Sequence, residues 1–280
     1  MVTFLYKPKN VSSATFLRKW AKINSIKKAG HSGTLDPFAS GLLLVATDDD
    51  TKLLPYLDQK NKTYIAQVSF GFYSTTFDID GEIFTCKSTT WVTKTELVSK
   101  LLELEQQELQ VPPIFSSKKI SGKRAYEYAR NGKDIELAPI KIKISKTILL
   151  EFNEKKQIAT ILWEVSKGCY IRSLANDLGK MLKTSGYLSE LERVKIGNFD
   201  FSFVNLPLKI QNFLDFPQIL VNSDQLIELL NGKKINYFTK DNEFIQLVFN
   251  EHLVGFGKII NNELIPKKIF GNKVKNLIKI

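Results

Sequence analysis

Hydrophobic and polar positions change period several times along the chain. From Ser12 or Ser13, either of which can cap a helix, Phe16, Trp20 and Ile23 recur at i, i+4 and i+7 and predict a helix ending near Gly30. Residues 41–47 (GLLLVAT) form an unbroken apolar run of strand length and predict a buried strand. Residues 63–71 (TYIAQVSFG) alternate, placing Tyr64, Ala66, Val68 and Phe70 on one strand face. Residues 78–84 (DIDGEIF) read as a turn into a short strand. Thr93 and Glu96 have capping-box spacing ahead of Leu97, Leu101 and Leu104, so a helix begins there, and Pro112-Pro113 is expected to stop it. Residues 157–166 (QIATILWEVS) predict another strand, turning at Lys167-Gly168. A helix from about Tyr170 then carries Ile171, Leu174, Ala175 and Leu178 inward. From about residue 213, short strand-like runs (EFIQLVF, HLVGFGKII) alternate with Asn-Gly, Asp-Asn and Asn-Asn turn signals, the texture of a small β-rich module.

A chain of 280 residues is long enough for one large domain and a small one. No apolar run approaches the roughly 20 residues that span a bilayer, and the start, MVTFLYKPKN, lacks the layout of a signal peptide. Cys86 and Cys169 stand alone, without metal-ligand spacing, which predicts reduced thiols and a cytoplasmic protein. With 2 histidines in the whole chain, a metal enzyme is not expected.

Charge changes this picture. The net charge of +11 favours an anionic partner, and its location matters more than its size. Residues 118–146 contain nine basic residues (Lys118, Lys119, Lys123, Arg124, Arg130, Lys133, Lys141, Lys143, Lys146) against three acids. Uniform compositional drift would not cluster so tightly, so a polyanion site is favoured. Tyr126 and Tyr128 are interleaved with these cations, a mixture that can track a phosphate backbone and stack on bases, or simply form a solvated amphipathic helix.

Candidate chemistry centres on AGHSGTLDPFASG (29–41). Pro37 pushes Asp36 out of the α region, and Gly33 removes side-chain bulk nearby, so a ligand can approach the backbone. On its own, Gly-x-x-Asp-Pro reads first as an ordinary turn, with Asp36 bonding its own backbone; the polar neighbours His31 and Ser32 turn attention to a site. Arg172 falls in the first turn of its helix, where a cation is unfavourable by about 0.3–1 kcal/mol, so a carboxylate partner is expected; Asp36 is a candidate. Such a pair would lower the pKa of the acid and keep it ionised. Read from pattern alone, Tyr64 is a core tyrosine and Tyr170 an anchor at a helix start.

Taken together, five ordered blocks resemble one family, the bacterial tRNA pseudouridine synthases of the B type, which modify uridine 55 in the TΨC arm. They are YKPKNVSSATFLRKW, AGHSGTLDPFASGLLLV, KTYIAQVSFG, VPPIFSSKKISGKRAYEYARNG and SKGCYIRSLANDLG. The resemblance implies an α+β fold with a mixed, mostly antiparallel sheet flanked by helices. It implies a catalytic domain over 1–212, with an RNA-contacting segment at about 112–146, and a PUA-like RNA-binding module over 213–280. Asp36 would be the catalytic carboxylate acting at the ribose, Arg172 its salt-bridge partner, and Tyr64 the ring that stacks on uracil and assists proton removal from C5. His31 would support the flipped nucleotide or its neighbours, while Tyr170 and Leu191 would line the uracil pocket. Lys118, Lys119, Lys123, Arg124, Tyr126 and Arg130 would contact RNA.

Isomerising uridine to pseudouridine exchanges an N1–C1′ bond for a C5–C1′ bond with no net redox change. No cofactor or metal is therefore expected, and tRNA is the expected partner of a monomer with no obligate protein partner. The target base must leave its stack at a cost of a few kcal/mol. One acid suits this chemistry better than glycoside hydrolysis, which sets two carboxylates across one bond. A silent RNA-binding module and a nucleoside glycosidase are the competing readings.

Overall fold

In the computed structural model of the chain, the residues described are 1–57, 60–86, 90–116, 137–210 and 213–279, with 119–120 and 123–124 as backbone only. From the start, β1 (Val2–Lys7) leads through α1 (Ser13–Ile23) into β2 (Ala29–Ser32) and β3 (Ser40–Thr47). A single turn, α2 (Leu54–Leu57), precedes β4 (Lys62–Phe70), and β5 (Phe72–Ser74) pairs with β6 (Ile83–Thr85). Next come α3 (Lys94–Leu104), β7 (Leu109–Gln110), the short pair β8 (Lys119–Ile120) and β9 (Lys123–Arg124), and β10 (Ile140–Lys141). Two long strands, β11 (Ile144–Asn153) and β12 (Ile158–Val165), are followed by α4 (Ile171–Met181) and β13 (Gly186–Ile196).

Seven strands form the main sheet in the order β1-β3-β13-β4-β12-β11, with β2 added to β3. The β3–β13 pair is parallel and the other pairs are antiparallel, giving the mixed, mostly antiparallel sheet that was expected. Its centre explains the unbroken run GLLLVAT. Leu43 and Val45 of β3 pack with Leu5 and Leu17, against α1, while Leu42, Leu44 and Ala46 join Val2, Phe4 and Phe213 in a second cluster. A strand buried on both faces has no polar positions to alternate with.

Across the sheet, the alternation in β4 holds as read. Tyr64, Ala66, Val68 and Phe70 share a core with Ala159, Ile161 and Trp163 of β12, with Leu97, Leu101 and Leu104 of α3, and with Ile171, Leu174, Ala175 and Leu178 of α4. The Thr93–Glu96 capping box is present.

A second sheet, of five strands, lies towards the end of the chain. It is built from β14 (Gln218–Leu220), α5 (Ser223–Leu230), β15 (Ile235–Asn236), β16 (Asn242–Phe249), β17 (His252–Ile260), β18 (Glu263–Ile269) and α6 (Gly271–Ile278), with strand order β14-β16-β17-β18-β15. Phe256 and Phe270 from this part pack in one cluster with Phe4 and Leu44 of the main sheet, so the two sheets share a hydrophobic seam. Asp49 accepts from the backbone N–H of Lys273 at 3.0 Å and so caps the start of α6 from a distant part of the chain. Among the described residues, no helix is long and apolar enough to cross a membrane.

Several local expectations are corrected. α1 stops at Ile23 rather than near Gly30, because the Asn24 amide bonds the Trp20 carbonyl at 2.8 Å and Ser25 turns left-handed at φ 56°. Ile23 consequently points to solvent at 82% exposure. The Asp36 loop joins two strands, β2 and β3, not a strand and a helix. α3 ends at Leu104, well before Pro112-Pro113, and β7 intervenes. The β-rich C-terminal part also contains two helices, α5 and α6.

Candidate active site

The loop bearing Asp36 is held from several sides. Leu35 and Phe38 are buried in the main core at 3% and 4% exposure, so the carboxylate between them has little freedom to wander. The Ser13 hydroxyl, at the start of α1, both accepts from the Leu35 N–H and donates to the Leu35 carbonyl, each at 2.9 Å. Lys7, fully buried at the end of β1, donates to the carbonyls of Val11 (2.7 Å), Pro8 (3.0 Å) and Pro37 (3.3 Å). That Lys-Pro stretch, which carried no patterning signal, ties the first strand to the Asp36 loop.

Arg172 reaches this loop from the first turn of α4. Its Nε faces Asp36 Oδ2 at 3.0 Å, and its Nη2 donates to Asp36 Oδ1 at 3.3 Å and to the Phe115 carbonyl at 2.9 Å. Nη1 donates to the Thr76 carbonyl at 3.1 Å and sits 3.1 Å from Asp78 Oδ2. One guanidinium, 6% exposed, thus bridges two carboxylates, of which Asp78 is 3% exposed and Asp36 34% exposed. The small unfavourable dipole contribution at the helix start is outweighed by this double pairing. α4 is itself anchored there: the Gln110 amide accepts from the Tyr170 N–H at 2.8 Å and donates to its carbonyl at 3.1 Å, and Ser173 donates to the Val111 carbonyl at 2.8 Å.

The expected contact between Asp36 and Arg172 is therefore present, but its expected electrostatic consequence is not. Asp36 is raised above its ordinary value, chiefly because protein surrounds it on every side but the cleft. Arg172 and Lys7 pull it down; Asp78 and Asp80 push it up. The loss of water around the carboxylate outweighs its counterions. Lys7 carries the complementary shift, lowered by burial to about 8.

A cleft of about 630 Å³ opens over Asp36, large enough for a nucleoside. Tyr64, Tyr170, Arg172, Leu191 and Arg193 line it together with Lys62 and Phe115. Tyr64 is 7% exposed, and burial raises its phenol, with Arg193 acting in the opposite direction. Burial likewise raises the Tyr170 phenol and pushes the Cys169 thiol, on the same wall, up to about 12, so Cys169 is no thiolate nucleophile.

His31 does not line this cleft; it lies on β2, opposite Val45, with Nδ1 buried and unpartnered among the described residues. Burial lowers its pKa and favours the neutral ring. Lys119, Lys123 and Arg124 fall on the β8–β9 pair, whose side chains lie outside the description, as do Lys118, Tyr126 and Arg130 entirely. Sequence reasoning missed Lys7, Asp78, Asp80 and Arg193 as site residues. A signal for Arg193 existed: it stands two residues from Leu191 and so shares its strand face.

Residues 21–171 match the TruB family pseudouridylate synthase model, N terminal domain. In fold, the chain is similar to a chain of a Cbf5-Nop10-Gar1 complex (TM-score 0.68, 20% identity, 96% of this chain and 84% of that one). It is similar also to one in an H/ACA RNP bound to a substrate RNA containing 2′-deoxyuridine (TM-score 0.67, 19% identity, the same coverage of 96% and 84%). Closer in sequence is tRNA pseudouridine synthase B of Mesomycoplasma hyopneumoniae, 63% identical over 278 residues, or 99% of this chain and 85% of that protein. The enzymes of the same name from Mycoplasma mobile and Aquifex aeolicus are 42% and 33% identical, covering 99% and 94% of this chain and 97% and 96% of theirs. The class is thus that of the pseudouridine synthases, which are isomerases. Within it, the chain belongs to the TruB family of pseudouridylate synthases.

Proposed function

We propose that the chain converts uridine 55 in the TΨC arm of tRNA to pseudouridine, with Asp36 as the catalytic carboxylate. The observation that carries this reading is a cleft-facing carboxylate, single among the described residues, gripped by a buried arginine in a nucleoside-sized cleft. Its support for the substrate is the name shared by the relatives, tRNA pseudouridine synthase B.

In this account the target nucleotide leaves the RNA stack and its uracil enters the cleft against Tyr64, Tyr170 and Leu191. Ionised Asp36 acts at the ribose while the N1–C1′ bond breaks. Arg172 holds the carboxylate in place, and Asp78 holds Arg172. Detached uracil turns within the enclosed walls, C5 bonds to C1′, and Tyr64 accepts the proton that C5 releases. His31, set back from the cleft, supports neighbouring nucleotides. The basic segment at about 112–146, with Lys118, Lys119, Lys123, Arg124, Tyr126 and Arg130, holds the RNA backbone, and residues 213–280 form a PUA-like RNA-binding module after a catalytic domain over 1–212. The protein works as a monomer in the cytoplasm.

Incubation with a TΨC stem-loop RNA tests this reading. Pseudouridine at the position of uridine 55 is expected. Free uracil would identify a glycosidase, and unchanged RNA that nonetheless binds would identify a silent RNA-binding protein.

A further inference from the structure

Among the described residues, Arg193 is the guanidinium of the cleft wall for which the reading above has no use. It is 0% exposed, and among the described residues it forms no ion pair with a carboxylate. Its Nε donates to the Leu42 carbonyl at 2.7 Å, while Nη2 is buried without a protein partner among the described residues. A charge buried so incompletely paired is costly, and such groups persist where they serve chemistry.

Its placement is specific. Arg193 on β13 stands directly opposite Tyr64 on β4 in the strand register, and both line the same cleft, where the guanidinium charge favours ionisation of the Tyr64 phenol. The backbone beneath it is fixed by close contact with β3: a Cβ on Gly41 would fall 2.3 Å from the Arg193 carbonyl oxygen, and Gly41 adopts φ +115°. Neither strand can shift without losing this approach, so the backbone that carries Arg193 is held opposite Tyr64.

We infer that Arg193 is a positioning residue that enables Tyr64 to accept the C5 proton during pseudouridine formation. This rests on the role proposed for Tyr64. A buried phenol resists ionising, and it must ionise before it can accept a proton from C5; a buried cation nearby favours the phenolate. In the step itself, the phenolate oxygen bonds the proton as the C5–H bond breaks. That electron pair becomes the C5=C6 double bond of the product as the C6=N1 π pair of the turned base withdraws to N1, which takes a proton from solvent, and Tyr64 afterwards returns its own proton to solvent. Arg193 neither gives nor takes a proton.

The experiment compares TΨC stem-loops carrying uridine or 5-deuterouridine, turned over by the native protein and by Arg193→Met, Arg193→Lys, Tyr64→Phe and Arg193→Met/Tyr64→Phe. Arg193→Met is expected to lower kcat about tenfold or more and to raise the deuterium isotope effect on kcat, because proton removal becomes slower than the other steps. Arg193→Lys, which keeps the charge, should recover part of both. In the Tyr64→Phe background, Arg193→Met should cost less than about twofold, since it acts through the phenol. An isotope effect unchanged by Arg193→Met, or the full tenfold loss persisting without the phenol, would reduce Arg193 to a prop for Leu42. If Arg193→Met does not fold, Arg193→Lys decides by the same isotope effect, smaller in rise but present. A raised effect in Tyr64→Phe beside an unchanged one in the Arg193 variants overturns this inference alone. No rise in Tyr64→Phe, or no product from the native protein, removes the underlying reading as well.

Discussion

Replacing Arg172 with methionine removes one charge and strands two. Asp78, 3% exposed, loses the guanidinium 3.1 Å away, and Asp36 loses contacts at 3.0 and 3.3 Å. Breaking a buried ion pair by deleting one partner costs about 3–5 kcal/mol, because the other charge is left desolvated. Most of that belongs to Asp78; the contribution of Asp36, a third exposed to the cleft, is screened and smaller. For a protein of this size, a loss of that order lowers Tm by roughly 10 °C. The sign with pH is fixed. Asp36 is already raised, and losing Arg172 raises it further, so the folded variant binds a proton that the unfolded chain releases. The part of the penalty carried by Asp36 is therefore full at neutral pH and shrinks as pH falls through the raised value. Thermal unfolding of native protein, Arg172→Met and Arg172→Met/Asp78→Asn at neutral and mildly acidic pH measures all of this. The double variant, with no stranded carboxylate at position 78, should regain a large part of the loss. Should it melt with the single variant, or should the single variant lose as much at acid pH as at neutral, the reasoning fails.

Other expectations follow from the same contacts. Asp80→Asn removes a negative charge that pushes Asp36 upward, so the acid limb of the pH–rate profile should move to lower pH; an unmoved limb would show that the two carboxylates do not interact. Ser13→Ala deletes both 2.9 Å bonds to the Leu35 backbone and should cost about 1–3 kcal/mol in denaturant titration, with kcat falling more than RNA affinity. Lys7, lowered from 10.5 to about 8, leaves the folded state holding fewer protons than the unfolded chain between those values, so stability gains a rising contribution across that window. Lys7→Met should abolish that contribution in unfolding measured from pH 7 to 10.5, and an identical pH slope in both proteins would contradict it.

How legible the molecule is from its residues depends on whether a signal is local. β4, α3 and α4 were readable because alternation, a capping box and an i, i+3, i+4 apolar face each fit within a dozen residues. The end of α1 was not, since apolar spacing ran on past an Asn24 side chain that closes the helix. The pairing of Asp36 with Arg172 could be anticipated from a cation misplaced at a helix start. Asp78 could not, because DIDG reads equally as a turn, and only the folded chain brings that turn under Arg172. The raised Asp36 carboxyl was missed for the same reason. A sequence displays the counterion, whereas the surrounding protein that strips away water comes from distant strands. Lys7, a charged residue in a strand, carries no local mark of burial, and Arg193 carries only its two-residue spacing from Leu191.

The central claim is that one ionised carboxylate, at position 36, carries out the chemistry on a nucleotide held by other groups. Asp36→Asn keeps the size of the side chain and removes its charge, so the direct measurement is release of tritium from a TΨC stem-loop labelled at C5 of the target uridine, alongside binding of the same RNA. The account predicts binding close to that of the native protein and no tritium release above background. Release at the native rate from the asparagine variant would contradict it.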